Sequence, residues 1–155
     1  MFGNTFDSLA FMNGFSPEEL QALRPLFQAV YLPVGAVLFE QGDPATQFFI
    51  VSEGEVMIRY KPEDGPALIL TRVRKDGVAG WSAAIGSPVY TSSALCAVES
   101  QLLCVRSEDL RRFYEVQPSL AQQLLERLAQ GIADRLHSTY PQIVALLEHG
   151  MHIPA

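Results

Sequence analysis

The stretch from Gly77 to Ala97, GVAGWSAAIGSPVYTSSALCA, decides how the rest of the chain is read. It predicts two strands joined by a tight glycine turn, a short small-residue helix starting near Ser82, and a Gly-Ser-Pro break. Gly80, Ser82 and Ala83 are small where backbone must come close to a neighbour. The N–H groups at the start of such a helix point outward and attract anions.

Around this stretch, residues 31–106 show short apolar runs separated by Gly, Pro and Asp, the spacing of an antiparallel all-β sandwich or roll. Strands are expected near Ala36–Phe39, Gln47–Ser52, Glu55–Tyr60, Ala67–Val73, Ser93–Ala97 and Ser100–Val105. Turn chemistry separates them at Leu32-Pro33-Val34-Gly35, Gln41-Gly42-Asp43-Pro44, Glu53-Gly54 and Pro62-Glu63-Asp64-Gly65-Pro66. Met57 and Arg59 alternate with Val56, Ile58 and Tyr60, so that hairpin has one buried and one wetter face.

Helices flank the sheet on both sides. Phe15-Ser16-Pro17-Glu18-Glu19-Leu20 combines an N-cap serine, a proline at the first helical position and a capping-box glutamate, with Phe15 and Leu20 as a hydrophobic staple. Leu20, Leu23, Leu26 and Phe27 share one face, which predicts a helix ending around Pro33. Ser107-Glu108-Asp109 supplies a cap and two acids for a helix to about Val116, with Arg111 and Arg112 exposed. From Pro118 a longer helix carries Ala121, Leu124, Leu125, Leu128, Ile132 and Leu136 in one stripe, opposite Gln122, Gln123, Glu126, Arg127, Gln130 and Asp134. That stripe fits packing on the β-roll or a homodimer seam; length and Gly131 beside Ile132 favour the dimer, although Arg135 interrupts a strict heptad. Tyr140-Pro141 interrupts the helix, and Gln142 to His149 adds about two turns.

Composition narrows the class. A chain of 155 residues with 48% hydrophobic content forms one core. The expected organisation is a lead-in at 1–14, a β-roll domain at 15–117, the long helix at 118–140 and a tail at 141–155. The net charge of -6 and the scattered basic residues disfavour non-specific nucleic-acid binding. No signal peptide or membrane-length apolar run is read, and Cys96 and Cys104 fit buried reduced thiols, so a cytoplasmic location is expected.

The order helix, β-roll, helix, long helix coincides with sequence detail that resembles the cyclic-nucleotide-binding domain family, which includes catabolite activator protein and the regulatory subunits of protein kinase A. The resemblance rests on Phe15-Ser16-Pro17-Glu18-Glu19-Leu20, Leu32-Pro33-Val34-Gly35, Phe39-Glu40-Gln41-Gly42-Asp43-Pro44-Ala45, and Phe49-Ile50-Val51 with Gly54, and it spans about Phe15 to Leu136. It implies a mainly β fold with flanking helices, a double-stranded β-helix or jelly-roll β-roll with a pocket under the last helix. In the family a phosphate-binding cassette reads roughly Phe-Gly-Glu-x-Ala-Leu, followed about ten residues later by Arg-x-Ala. The matching residues here are Ala79-Gly80-Trp81-Ser82-Ala83-Ala84 and Thr91-Ser92-Ser93. Gly80 and Ala83 agree with the family, whereas Trp81 replaces the Glu that accepts the ribose hydroxyl and Thr91 replaces the Arg that neutralises the cyclic phosphate. Arg59, Arg72 and Arg74 are the strand cations that could substitute, but strand-end arginines are ordinarily solvated.

Other chemistries find little support. His137, His149 and His152 are the only histidines and none lies in a strand, which argues against a metal held inside the barrel. Ser92 and Ser93 have no neighbouring base, so neither is an activated nucleophile, and no catalytic residue or cofactor is expected. No helix-turn-helix is read after the long helix, so operator binding is not expected. Two functions follow. The first is a non-catalytic sensor module in signal transduction whose pocket, at Gly80, Trp81, Ser82, Ala83, Thr91, Ser92 and Ser93, binds a small-molecule effector without the usual reading of cyclic AMP. The second is a ligand-free adaptor or homodimerisation module acting through a protein partner.

Overall fold

In a computed structural model, residues 9–83 and 87–138 are described, with Phe11, Ser82 and residues 130–138 described by backbone only. The predicted break at Tyr140-Pro141, the turns from Gln142 to His149, the tail and the three histidine side chains lie outside the described residues, as do Ala84 and the side chains of Ser82, Ile132 and Leu136.

The helix start at Ser16 forms as its local chemistry dictates. Ser16 Oγ accepts a hydrogen bond from Glu19 N at 3.1 Å, and Ser16 N donates to Glu19 Oε1 at 2.8 Å. This closes a capping box on α1 (Pro17–Leu23). Such a cap contributes about 1 kcal/mol. The helix is shorter than the apolar spacing predicts. Pro25 has no N–H to continue the ladder and clashes with the preceding turn, so the chain passes through a 3-10 turn at Arg24–Leu26. It then extends into β1 (Gln28–Leu32), a strand in the region where helix was expected.

Seven further strands follow: β2 (Val37–Phe39), β3 (Gln47–Glu53), β4 (Val56–Tyr60), β5 (Leu68–Val73), β6 (Val78–Ala79), β7 (Ser93–Cys96) and β8 (Ser100–Arg106). The six strands predicted from the sequence are present with ends within a residue of expectation, and β1 and β6 complete the set. They form two four-stranded antiparallel sheets, ordered β1-β8-β3-β6 and β2-β7-β4-β5. The predicted alternation in β4 holds: Val56 and Ile58 are buried, while Met57 and Arg59 are half-buried on the other face. Phe48, Ile50, Val51, Val56, Leu102 and Leu103 are all fully buried in the core.

Two helices close the domain, α2 (Ser107–Val116) and α3 (Pro118–Ser138). Ser107 is not the N-cap; it lies inside the first turn, and its hydroxyl donates to the Ala83 carbonyl at 2.9 Å. Arg112 is exposed as expected and pairs with Glu108 and Asp109 one turn back. The apolar stripe of α3 divides. Ala121, Leu124 and Leu128 are buried within the chain, and Leu125 is half-buried against the core. Arg127, expected on the polar face, turns inward: its guanidinium donates to the Asn13 carbonyl and lies 4.2 Å above the Phe15 ring.

Candidate functional site

The cassette stretch begins where β6 ends. Gly80 adopts φ +80, and a Cβ built on it would lie 2.9 Å from Phe39 Cε2 and 3.3 Å from the Gln47 carbonyl oxygen. Both the backbone conformation and the space therefore require glycine. The predicted short helix is a single 3-10 turn over Trp81–Ala83, in which Ala83 N donates to Gly80 O at 3.0 Å. Ala83 is buried and Trp81 packs half-buried against the core. Through the Ser107 bond to its carbonyl, Ala83 also ties this turn to the start of α2.

The second half of the stretch is pinned by a residue that the motif reading did not single out. Tyr90 is buried and stacks on Phe39, with ring centroids 3.8 Å apart and planes at 13°. Its hydroxyl donates to the Gln47 carbonyl, the same oxygen that faces Gly80, and accepts from Gln47 N. Burial raises the Tyr90 pKa above its usual value, against the opposing effect of these backbone bonds. Backbone bonds from Tyr90 to Gly42 and Asp43, and from Ala45 to Pro88, clamp the segment onto the turn after β2. The signal for Tyr90 was its large ring among small residues; its partners, more than forty residues away, carried none.

Beyond Tyr90 the structure places Thr91 on the surface, with Ser92 and Ser93 half-buried. Ser93 Oγ accepts from Gln41 N at 2.8 Å. Ala94 is fully buried opposite Ile58, so it, rather than Ser93, faces the interior here. Arg72 and Arg74 do not turn toward this region. Both donate to Glu55, with N–O distances of 2.8 Å, and hold its carboxyl below the usual range. Arg59 stands opposite Ser93 in the β4–β7 ladder.

The two cysteines are free and buried, as expected. Cys104 Sγ donates to Gln47 Oε1 at 3.0 Å, and burial pushes its pKa up to about 11. Among the described residues no group of three or more His, Cys, Asp or Glu side chains could hold a metal ion, and no helix is long and apolar enough to cross a membrane. A cleft of about 610 Å³ lies away from the cassette, with Tyr31, Glu53, Gly54 and Glu99 among its lining.

Two four-stranded antiparallel sheets, a glycine-centred turn joined to a helix, and a long helix packed on that helix define a β-roll domain with flanking helices. The sequence matches the cyclic nucleotide-binding domain family over residues 29–117, and the chain belongs to that family. It is 27% identical over 139 residues to a CRP-like cAMP-activated global transcriptional regulator of Mycobacterium tuberculosis, covering 85% of this chain and 62% of the regulator. The chain thus spans about three-fifths of the length of that relative. Among solved structures, the sensor domain of the transcriptional regulator DNR from Pseudomonas aeruginosa is 28% identical, with a TM-score of 0.65 over 88% of this chain and 89% of that one. A cyclic nucleotide-binding domain from Methylobacillus flagellatus shares the fold with a TM-score of 0.79 at 20% identity, over 92% and 80% of the two chains.

Proposed function

We propose that this domain is a non-catalytic sensor whose cassette pocket takes a small-molecule effector other than cyclic AMP held in the family's usual way. One observation carries the reading: the cassette turn at Gly80–Ala83 keeps its glycine conformation and its backbone bond, while Trp81 and a hydroxyl residue, Thr91 or Ser92, stand where the family's two charges are expected. The burial of Ala94 supports matching the family's Arg-x-Ala to Ser92-Ser93-Ala94, one residue beyond Thr91-Ser92-Ser93. In either register a hydroxyl replaces the arginine. Each charge-assisted hydrogen bond contributes about 1.5–3 kcal/mol. Losing a bidentate arginine and a carboxylate together weakens a micromolar ligand by several kcal/mol, which takes it beyond the millimolar range.

Calorimetry with cyclic AMP, cyclic GMP, cyclic di-GMP and small organic acids tests the proposal. Cyclic AMP is expected not to bind at micromolar concentration, with heat from another member of the panel. Micromolar cyclic AMP binding refutes the reading of Trp81 and the hydroxyl residues. Silence across the panel favours the second reading, an adaptor that works through protein contacts. The packing of Trp81 against the core supports that alternative, because it brings a large ring to the place where the family holds a sugar. A homodimer along α3 would use positions other than Ala121, Leu124 and Leu128, which already pack within the chain.

A further inference from the structure

At one end of the sheet ordered β1-β8-β3-β6, one face carries a ring, an amide and two carboxylates in a fixed arrangement. Gln101 of β8 pairs with Tyr31 of β1 on one side and with Glu53 of β3 on the other. Directly paired residues share a face of the sheet, so the three side chains form one row. Glu99, two residues before Gln101, projects on the same face. The cover over this face ends here: Leu103, two residues further along β8, is fully buried, whereas Tyr31 is 66% exposed. These residues line the cleft of about 610 Å³, and among the described residues that line it there is no lysine or arginine.

The floor of the cleft is rigid. Ser100 is buried between Glu99 and Gln101, and its hydroxyl donates to the Val98 carbonyl at 2.8 Å and accepts from Glu55 N at 3.1 Å. It thereby ties the turn after Glu53 to the turn that carries Glu99. Gly54, at φ +104, permits this approach, since a Cβ built on it would lie 2.7 Å from Ser100 Cα. Both carboxylates are thus held on one scaffold. They differ from Glu55, whose charge is met by Arg72 and Arg74. Carboxylates beside an exposed aromatic ring match a guanidinium, whose planar fork donates to the acids while its face stacks on the ring. A cation above Gln101 has the Tyr31 strand about 5 Å to one side and the Glu53 strand about 5 Å to the other. Next to the cleft, Val34 and Val98 are exposed on the β1–β2 and β7–β8 turns, which the bond from Gly35 N to Cys96 O holds side by side. Apolar side chains flanking a cation site suit a peptide segment better than a free amine.

We propose that this cleft docks an arginine-bearing, partly apolar segment of a partner protein. Its guanidinium lies against Tyr31 and donates to Glu53 and Glu99, and its flanking apolar side chains cover Val34 and Val98. The chain's net charge of -6 favours encounter with a basic segment. The site does not depend on the cassette pocket: Gln47, whose carbonyl faces Gly80, and Glu53 stand at opposite ends of β3, about 20 Å apart.

The test titrates the ¹⁵N-labelled chain with the peptide acetyl-Gly-Leu-Arg-Leu-Gly-amide, following the amide resonances of Gly54, Ser100 and Gln101. The same peptide with neutral citrulline in place of arginine, and L-argininamide alone, are the comparison probes. Saturable binding of the arginine peptide is expected with a Kd at or below about 1 mM, weakening several-fold at high salt. The citrulline peptide should bind about tenfold more weakly, and L-argininamide more weakly than the peptide. Tyr31→Ala, at an exposed side chain, should weaken binding about two- to fivefold. Glu53→Gln and Glu99→Gln together should weaken it about tenfold. The proposal is overturned if the three resonances do not move, if the citrulline peptide binds as tightly as the arginine peptide, or if the folded variants bind like the wild type. L-argininamide binding as tightly as the peptide would overturn the partner segment and assign the cleft to a small cation.

Discussion

Replacing Gly80 by alanine perturbs the cassette turn at one atom, and the structure sets the size of the effect. A non-glycine residue at φ +80 costs about 1–2 kcal/mol in backbone strain. The new Cβ would also lie 2.9 Å from Phe39 Cε2, well inside the optimum of about 3.5–4.0 Å for carbon contacts. The Phe39 ring has little freedom to retreat, since it is buried and stacked on Tyr90 with centroids 3.8 Å apart. Overpacking of this kind adds about 1–3 kcal/mol, for a total of roughly 2–5 kcal/mol. Gly35 provides the control. It has φ +85 and nothing within 4 Å of its built Cβ, so Gly35→Ala should show the strain alone. Urea unfolding monitored by the fluorescence of the single tryptophan, Trp81, and by far-UV circular dichroism measures both variants. Unchanged m-values would license the comparison. Equal losses in the two variants would refute the packing argument and remove the reason given for glycine at position 80.

Further predictions concern the long helix and the buried thiol. Leu128→Lys places a charge at a side chain only 3% exposed. It should cost more than about 3 kcal/mol, so sedimentation with circular dichroism should report loss of fold; a folded variant of altered mass would restore the seam reading of Leu128. Arg127→Met removes the bond to the Asn13 carbonyl and the contact over Phe15. The expected loss is about 2 kcal/mol in urea unfolding, and an unchanged midpoint would show that Arg127 does not hold the N-terminal segment. The Cys104 pKa is raised from 9.0 to about 11, so the folded state holds this proton more tightly than the unfolded state. Its stabilisation is full below about pH 9 and is lost as pH rises through about 11. Cys104→Ala should flatten this part of the alkaline stability profile, and coincident profiles would count against it.

Those features were legible in the sequence whose causes are local. Ser16-Pro17-Glu18-Glu19 contains both halves of its capping box, so the start of α1 followed directly. The Gly and Pro turns placed six strands for the same reason. β1 was hidden because Leu20, Leu23, Leu26 and Phe27 continue a helical period past Pro25, while the strand depends on pairing Gln28–Leu32 with Ser100–Cys104, some seventy residues away. The stripe on α3 shows the limit of periodicity. It tells that a face is covered but not by what, and here the chain's own core covers Ala121, Leu124 and Leu128. In the candidate site the motif located Gly80 and Ala83, whereas Tyr90, Gln47 and Ser107 entered only through contacts made across the fold.

The conformation of the cassette turn and its ligand chemistry have separate physical origins, so the proposed reading, in which one persists without the other, is physically consistent. Gly80 is fixed by Phe39 and Gln47, Tyr90 by Phe39 and Gln47, and Ala83 by Ser107. All of these constraints come from packing and backbone hydrogen bonds within the protein, and they hold whatever occupies the pocket. Reading a cyclic phosphate requires charges instead, and under the proposed reading neither Trp81 nor the hydroxyl at Thr91 or Ser92 supplies one. Substitution at those positions can therefore change the ligand without unfolding the turn. The same strand carries a different chemistry on its other side, where Ser93 faces Arg59 while Ala94 faces Ile58. Because the pleat sends successive residues to opposite faces, a substitution at Ser93 can alter the outer face while leaving the packing of Ala94 within intact.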